Sequence, residues 1–234
     1  MRTIGLIGGM SWESSLEYYR LINTMVQERM GGFHSAKLVM VSVDFAEVEA
    51  MQMSNRWDDA TGLLVTAAQQ TKAAGADFVL LCTNTMHKVA GAIEAALAIP
   101  LLHIADAAAV AVQAHQFDTV GLLGTRFTME EAFYRQRLAD KYGLRVLMPD
   151  ASDREVVHQI IYDELVKGRI VDHSRQQYQN IIQKLSAQGA QGVILGCTEI
   201  GLLIKATDSP IPVFDTTILH ASAAVTWALD GIPD

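Results

Sequence analysis

Short, nearly unbroken apolar runs alternate along this chain with longer segments of helical character. The runs, rich in Ile, Val and Leu, fall at residues 3–7, 38–44, 78–82, 100–104, 119–123, 144–148, 192–196 and 212–214. Continuous apolar character of this kind marks parallel strands covered by helices on both faces. Residues 14–30, 57–74, 85–97, 105–114, 129–142, 153–167, 174–188 and 217–229 read as the helices between them. The first follows Ser11 and Ser14, good N-cap types, and stops at Gly31-Gly32.

The pattern also repeats. Thr3-Ile4-Gly5-Leu6-Ile7-Gly8-Gly9 matches Thr119-Val120-Gly121-Leu122-Leu123-Gly124-Thr125. Gly75 to Thr85 matches Gly189 to Glu199, and Ile99-Pro100-Leu101-Leu102 matches Ile211-Pro212-Val213-Phe214. Three segments recur in one order at offsets of 116, 114 and 112 residues. Two copies at so long a period imply two similar halves rather than a solenoid. The predicted fold class is α/β, with two pseudo-symmetric doubly wound parallel-sheet domains, right-handed crossovers and the active site in a cleft between them. Residues 1–103 with 211–234 are assigned to the first domain and 104–210 to the second. Ligands of such sheets bind at the carboxyl ends of the strands. This directs attention to Gly8-Gly9-Met10, Thr83-Asn84-Thr85, Thr125 and Cys197-Thr198-Glu199.

A chain of 234 residues that is 50% hydrophobic can bury a core in each half, and no apolar run is long enough to span a bilayer. The net charge of −8 argues against a nucleic-acid partner, which needs clustered Lys and Arg. The two cysteines, each at a strand end, suit a reducing cytoplasm better than a disulfide framework.

Cys197 lies where a buried strand meets a helix start, a place that favours thiolate. A buried core cysteine is the plain alternative. Cys82 aligns with Gly196, one residue before the reactive position, and reads as core. In the repeat register Cys197 falls opposite Thr83. Thr83-Asn84-Thr85 offers hydroxyls, an amide and backbone N–H groups suited to a carboxylate. Met10 and Trp12 could line the cleft mouth, and Lys167 could counter a substrate carboxylate or simply be solvated. His87 and His103 are either structural or close to substrate. Gly5-x-x-Gly8-Gly9 lacks the dinucleotide-loop spacing. No metal-ligand spacing or nucleophile elbow is present.

Ile4 to Trp12, Cys82-Thr83-Asn84-Thr85-Met86-His87, Leu195 to Glu199 and Pro212 to Thr217 resemble the aspartate/glutamate racemase family over essentially the whole chain, and most closely its L-specific bacterial branch. The resemblance implies a cofactor-independent isomerase acting at the Cα of a small acidic amino acid, and a homodimer. Carried over by motif, Cys197 matches a catalytic cysteine. Asn84, Thr85 and Thr198 match residues that hold the α-carboxylate, and Met10, Gln52 and Thr125 match positions near the substrate. Thr83 stands where the family's other catalytic cysteine is usual, as the L-specific branch implies. The family's arginine after the second strand is not evident among residues 46–52.

These readings make Cys197 the base toward the L-enantiomer and Thr83 the group on the opposite face of Cα. Alternatives left open are a related decarboxylase, maleate-type isomerase or hydantoin racemase, and a two-lobed carboxylate binder without turnover.

Overall fold

The computed structural model describes residues 1–233, and these divide into two units, residues 1–104 with 220–233 and residues 105–219. The first contains β1 (Ile4–Gly8), α1 (Trp12–Met30), β2 (Leu38–Ser42), α2 (Phe45–Met53), α3 (Trp57–Ala73), β3 (Phe78–Leu81), a 3₁₀ turn (Thr85–Val89), α4 (Ala90–Ala96) and β4 (Leu101–Leu102). After α5 (Ile104–Ala114), the second unit holds β5 (Thr119–Gly124), α6 (Arg126–Glu130), α7 (Ala132–Tyr142), β6 (Arg145–Leu147) and α8 (Ala151–Asp163). A 3₁₀ turn (Leu165–Lys167), α9 (Asp172–Ala187), β7 (Gly192–Gly196), α10 (Ile200–Leu203) and β8 (Val213–Asp215) follow, and α11 (Thr216–Leu229) closes the chain.

The two sheets are copies of one design. Their strand orders are β2-β1-β3-β4 and β6-β5-β7-β8, and every pairing is parallel. The expected α/β class and paired topology are therefore found, in the order the internal repeat implies.

Alternation along the strands divides the first unit's core into two layers. Ile4, Leu6, Phe78 and Leu80 pack with Tyr18, Ile22 and Val26 of α1 and with Ala221, Ala224 and Val225 of α11. Ile7, Val79 and Leu81 point the other way, onto Leu64 and Ala68 of α3 and Ile93 of α4. Cys82 belongs to the first layer and is fully buried. In the second unit Leu123, Val193 and Leu195 pack against Val157 and Ile161 of α8 and Ile182 and Leu185 of α9.

The division between units corrects the sequence assignment for residues 211–219. β8 pairs with β7, so this stretch belongs to the second unit, and only the later part of α11 packs in the first. Two further differences are local. Residues 45–53 form a helix, α2, where none is predicted; Asp44 caps it by accepting from the Ala46 N–H at 3.0 Å. The stretch 153–167 breaks at Glu164 into α8 and the 3₁₀ turn.

Glycines bring backbone close at the strand ends. Gly9 has φ +93°, and a Cβ there would run into the Val43 carbonyl. Gly124 and Gly196 are register partners, and a Cβ on Gly124 would sit 2.7 Å from the Gly196 oxygen. The residues that follow this pair, Thr125 and Cys197, thus leave the sheet side by side.

Candidate active site

In the second unit, Thr125, Cys197, Thr198 and Glu199 occupy the carboxyl ends of β5 and β7, and all four are buried. Thr125 caps α6, its hydroxyl accepting from the Thr128 N–H at 3.3 Å. The turn after β7 is held from α11: the Thr216 hydroxyl donates to the Leu195 carbonyl at 2.7 Å, and that of Thr217 to the Thr198 carbonyl at 3.4 Å. The Asp-Thr-Thr segment after β8 thereby fixes the backbone on either side of Cys197.

The thiol has a specific partner. Cys197 Sγ donates to Glu199 Oε2 at 3.0 Å, and the Thr198 hydroxyl donates to the same oxygen at 2.8 Å. Burial pushes the Cys197 thiol well above its ordinary value, and the Glu199 charge and hydrogen bond push it further. The Glu199 and Thr198 N–H groups act in the opposite direction, as anticipated for a helix start, but they are outweighed. The expectation of a thiolate favoured by a helix start is therefore corrected. α10 is only four residues long, and a buried carboxylate stands beside the sulfur. The sulfur is thus held as a thiol donating to the Glu199 carboxylate. Sequence reasoning gave Glu199 no role, although its place two residues after the cysteine was a signal.

In the first unit, Thr83, Asn84 and Thr85 are buried at the end of β3. Asn84 precedes the 3₁₀ turn, and its carbonyl accepts from the His87 N–H at 3.1 Å. His87 Nδ1 lies 2.8 Å from the Thr83 carbonyl. Met10 is buried after β1, where Ser15 Oγ accepts from the Gly9 N–H at 2.8 Å and donates to the Ser11 carbonyl at 2.9 Å. Gln52, on α2, is buried, and its Nε2 donates to Met86 Sδ at 2.9 Å. Residues 46–52, where an arginine is missing, lie on this helix.

The structure thus gathers Thr125, Cys197 and Thr198 in one unit, and Met10, Gln52, Thr83, Asn84 and Thr85 in the other. Lys167 does not join either group by a hydrogen bond. It ends a 3₁₀ turn with its side chain 59% exposed and pairs with Asp163 at 3.7 Å. Trp12 is exposed on α1. Among the described residues, no group of three or more His, Cys, Asp and Glu is placed to hold a metal ion, and no helix is long and apolar enough to cross a membrane.

The two thiols have a consequence for stability. Burial raises Cys82 as well as Cys197. A raised thiol stabilises fully below the unfolded value, about 8.5, and loses that contribution as pH rises above it. Between about pH 9 and 10, unfolding free energy should therefore fall as pH rises, with both thiols contributing to the slope. Urea midpoints for the wild type and Cys82→Ala should diverge in slope, with the variant losing stability less steeply as pH rises. Equal slopes would contradict a buried, protonated Cys82.

A family model for Asp/Glu/hydantoin racemase matches residues 7–224. The broad specificity amino-acid racemase RacX of Bacillus subtilis (strain 168) is 26% identical over 172 residues, 74% of each chain. Among solved structures, a candidate Asp/Glu racemase from Yersinia pestis is 56% identical with a TM-score of 0.92, covering 98% of this chain and 100% of that one. PH1733, an aspartate racemase homologue from Pyrococcus horikoshii OT3, is 31% identical with a TM-score of 0.85, covering 97% and 99%.

Proposed function

Since the chain belongs to the Asp/Glu/hydantoin racemase family, we propose that it is a cofactor-independent amino-acid racemase acting on aspartate, glutamate or both, with Cys197 as base and Thr83 on the opposite face of Cα. The observation that carries this reading is the buried bond of Cys197 Sγ to Glu199 Oε2 at 3.0 Å.

A racemase must remove a weakly acidic Cα proton from one face and return a proton to the other. In the resting pair the thiol keeps its proton. On substrate binding that proton passes to Glu199, and the thiolate takes the Cα proton of the L-enantiomer. The substrate ammonium, a positive charge at the sulfur, favours this transfer. Negative charge then develops on the α-carboxylate, and Asn84, Thr85 and Thr198 with their strand-end N–H groups stabilise it electrostatically. The Thr83 hydroxyl relays a proton from water to the other face. Cys197 and Glu199 return to a thiol and a carboxylate once the abstracted proton leaves to solvent, so protons balance over the cycle.

Met10 and the amide of Gln52 flank the substrate side chain in this reading, with Thr125 beside Cys197. Gln52 and Met86 present an uncharged wall, and the similarity to a broad-specificity relative supports testing neutral amino acids beside the acidic ones. Lys167 pairs only weakly with Asp163, as exposed ion pairs do, and so can turn to a substrate carboxylate. The assembly is a homodimer in the cytoplasm, with free thiols that suit a reducing compartment.

A threonine hydroxyl donates a proton far better than it accepts one. Because the two enantiomers have equal free energy in water, inversion must have the same kcat/KM in both directions. The asymmetry therefore shows in Cα–H exchange, fast for the L-form and slow for the D-form. Thr83→Cys should raise exchange of the D-form by about 10²-fold, the scale of a positioned general base. Chiral chromatography and deuterium incorporation from each enantiomer of both acids test this. Unchanged D-form exchange in Thr83→Cys would remove the two-base mechanism.

A further inference from the structure

His87 is held between two backbone groups whose hydrogen-bonding roles are fixed. Its Nδ1 is 2.8 Å from the Thr83 carbonyl, which can only accept. Its Nε2 is 3.2 Å from the Ile104 backbone N–H, which can only donate. The ring is therefore neutral, with its proton on Nδ1 and a lone pair on Nε2. A second proton on Nε2 would confront the Ile104 N–H and break that bond. The ring is buried, and the rings of His103 and His220 are among its titratable neighbours, with centroids at 4.3 and 6.0 Å. His220 is committed elsewhere, to the Tyr18 hydroxyl at 2.8 Å and the Leu102 carbonyl at 2.9 Å.

The bond to Thr83 has a directional effect. In a trans peptide the C=O and the following N–H point in opposite directions. With the Thr83 carbonyl pinned to His87, the Asn84 N–H faces away from the histidine, and the backbone carrying the Thr83 side chain is set. We propose that His87, as the neutral Nδ1–H tautomer, is a positioning residue that sets the Thr83–Asn84 peptide for proton delivery to Cα, and that protonation of Nε2 releases it. This rests on the racemase reading for its consequence, though not for the tautomer.

The test compares His87→Asn, whose amide nitrogen can replace Nδ1 as donor and does not titrate, with His87→Ala. In D2O, Cα–H exchange of the L-substrate reports the Cys197 step, and chiral analysis reports inversion. His87→Ala should lower inversion at least tenfold and lower exchange by a clearly smaller factor, since only inversion needs proton delivery from Thr83. His87→Asn should restore inversion to within about threefold. As pH falls, the inversion-to-exchange ratio should drop in the wild type and stay flat in His87→Asn. Nitrogen-15 NMR of labelled histidine should show His87 as the Nδ1–H tautomer at neutral pH, and hydrogen exchange at Asn84 and Thr85 should quicken at least tenfold in His87→Ala but not in His87→Asn. An Nε2–H tautomer, or exchange and inversion falling in parallel in both variants, would overturn the proposal. If the wild type turns over no amino acid, the racemase reading fails, and the tautomer and amide exchange still decide whether His87 positions this peptide. If His87→Ala does not fold, the tautomer and the pH response of His87→Asn decide it.

Discussion

Replacing Cys197 by serine should lower both Cα–H exchange of the L-substrate and its inversion by about 10³-fold or more, the full scale of a positioned general base. A serine hydroxyl ionises far above a thiol, so the acceptor of the Cα proton is lost while the donor to Glu199 remains. The turn itself should survive, because it is fixed by the Thr216 and Thr217 hydroxyls and not by sulfur. Unchanged circular dichroism with activity at background is the expected pair of results. Residual exchange within tenfold of wild type would mean another base acts on the L-face.

Glu199→Gln should move two measurements in opposite directions. Glutamine removes the negative charge that helps hold the Cys197 proton in place, so the thiol should ionise at lower pH. Each unit of that change gives about a tenfold gain in thiolate below the titration midpoint, read as faster alkylation by iodoacetamide at pH 7.5. Cys82, fully buried in the other unit, serves as the unreactive internal standard. Turnover should nevertheless fall by about 10²-fold, because the proton leaving sulfur has lost its acceptor. If alkylation and turnover rise together, Glu199 only restrains the thiol and takes no part in proton transfer. If neither changes, the bond at 3.0 Å has no functional consequence.

Much of this architecture was legible in the chain because buried parallel strands advertise themselves. Val193-Ile194-Leu195 and Val79-Leu80-Leu81 have no polar face to hide, and their recurrence about 114 residues apart implied two similar sheets. The same repeat also accounts for the place of residues 211–219 in the second unit. Pro212-Val213-Phe214 aligns with Pro100-Leu101-Leu102, so β8 had to close the second sheet as β4 closes the first. The division between the units falls within α11, after Leu219, a point that no glycine, proline or break in the apolar pattern marks in the chain. Helix α2 is hard to read from the chain because Phe45-Ala46-Glu47-Val48-Glu49 has only a short apolar stripe; the cap at Asp44 is its available signal.

The site was legible in position but not in charge. Strand ends are visible in sequence, and they located Cys197, Thr198, Thr83, Asn84 and Thr85. The state of the Cys197 thiol depends on burial and on the direction in which the Glu199 side chain turns, neither of which a residue pattern contains. The tautomer of His87 is likewise set by Thr83 and Ile104, groups 4 and 17 residues away that only the fold brings to one ring.

The most direct test of the central claim is proton NMR of L-aspartate and L-glutamate in D2O with the purified protein, following the Cα–H signal beside chiral chromatography. The account predicts loss of that signal with at least one of the two acids, slower appearance of the D-enantiomer, and neither process in Cys197→Ser. No loss with either acid, or loss that persists in Cys197→Ser, would contradict it.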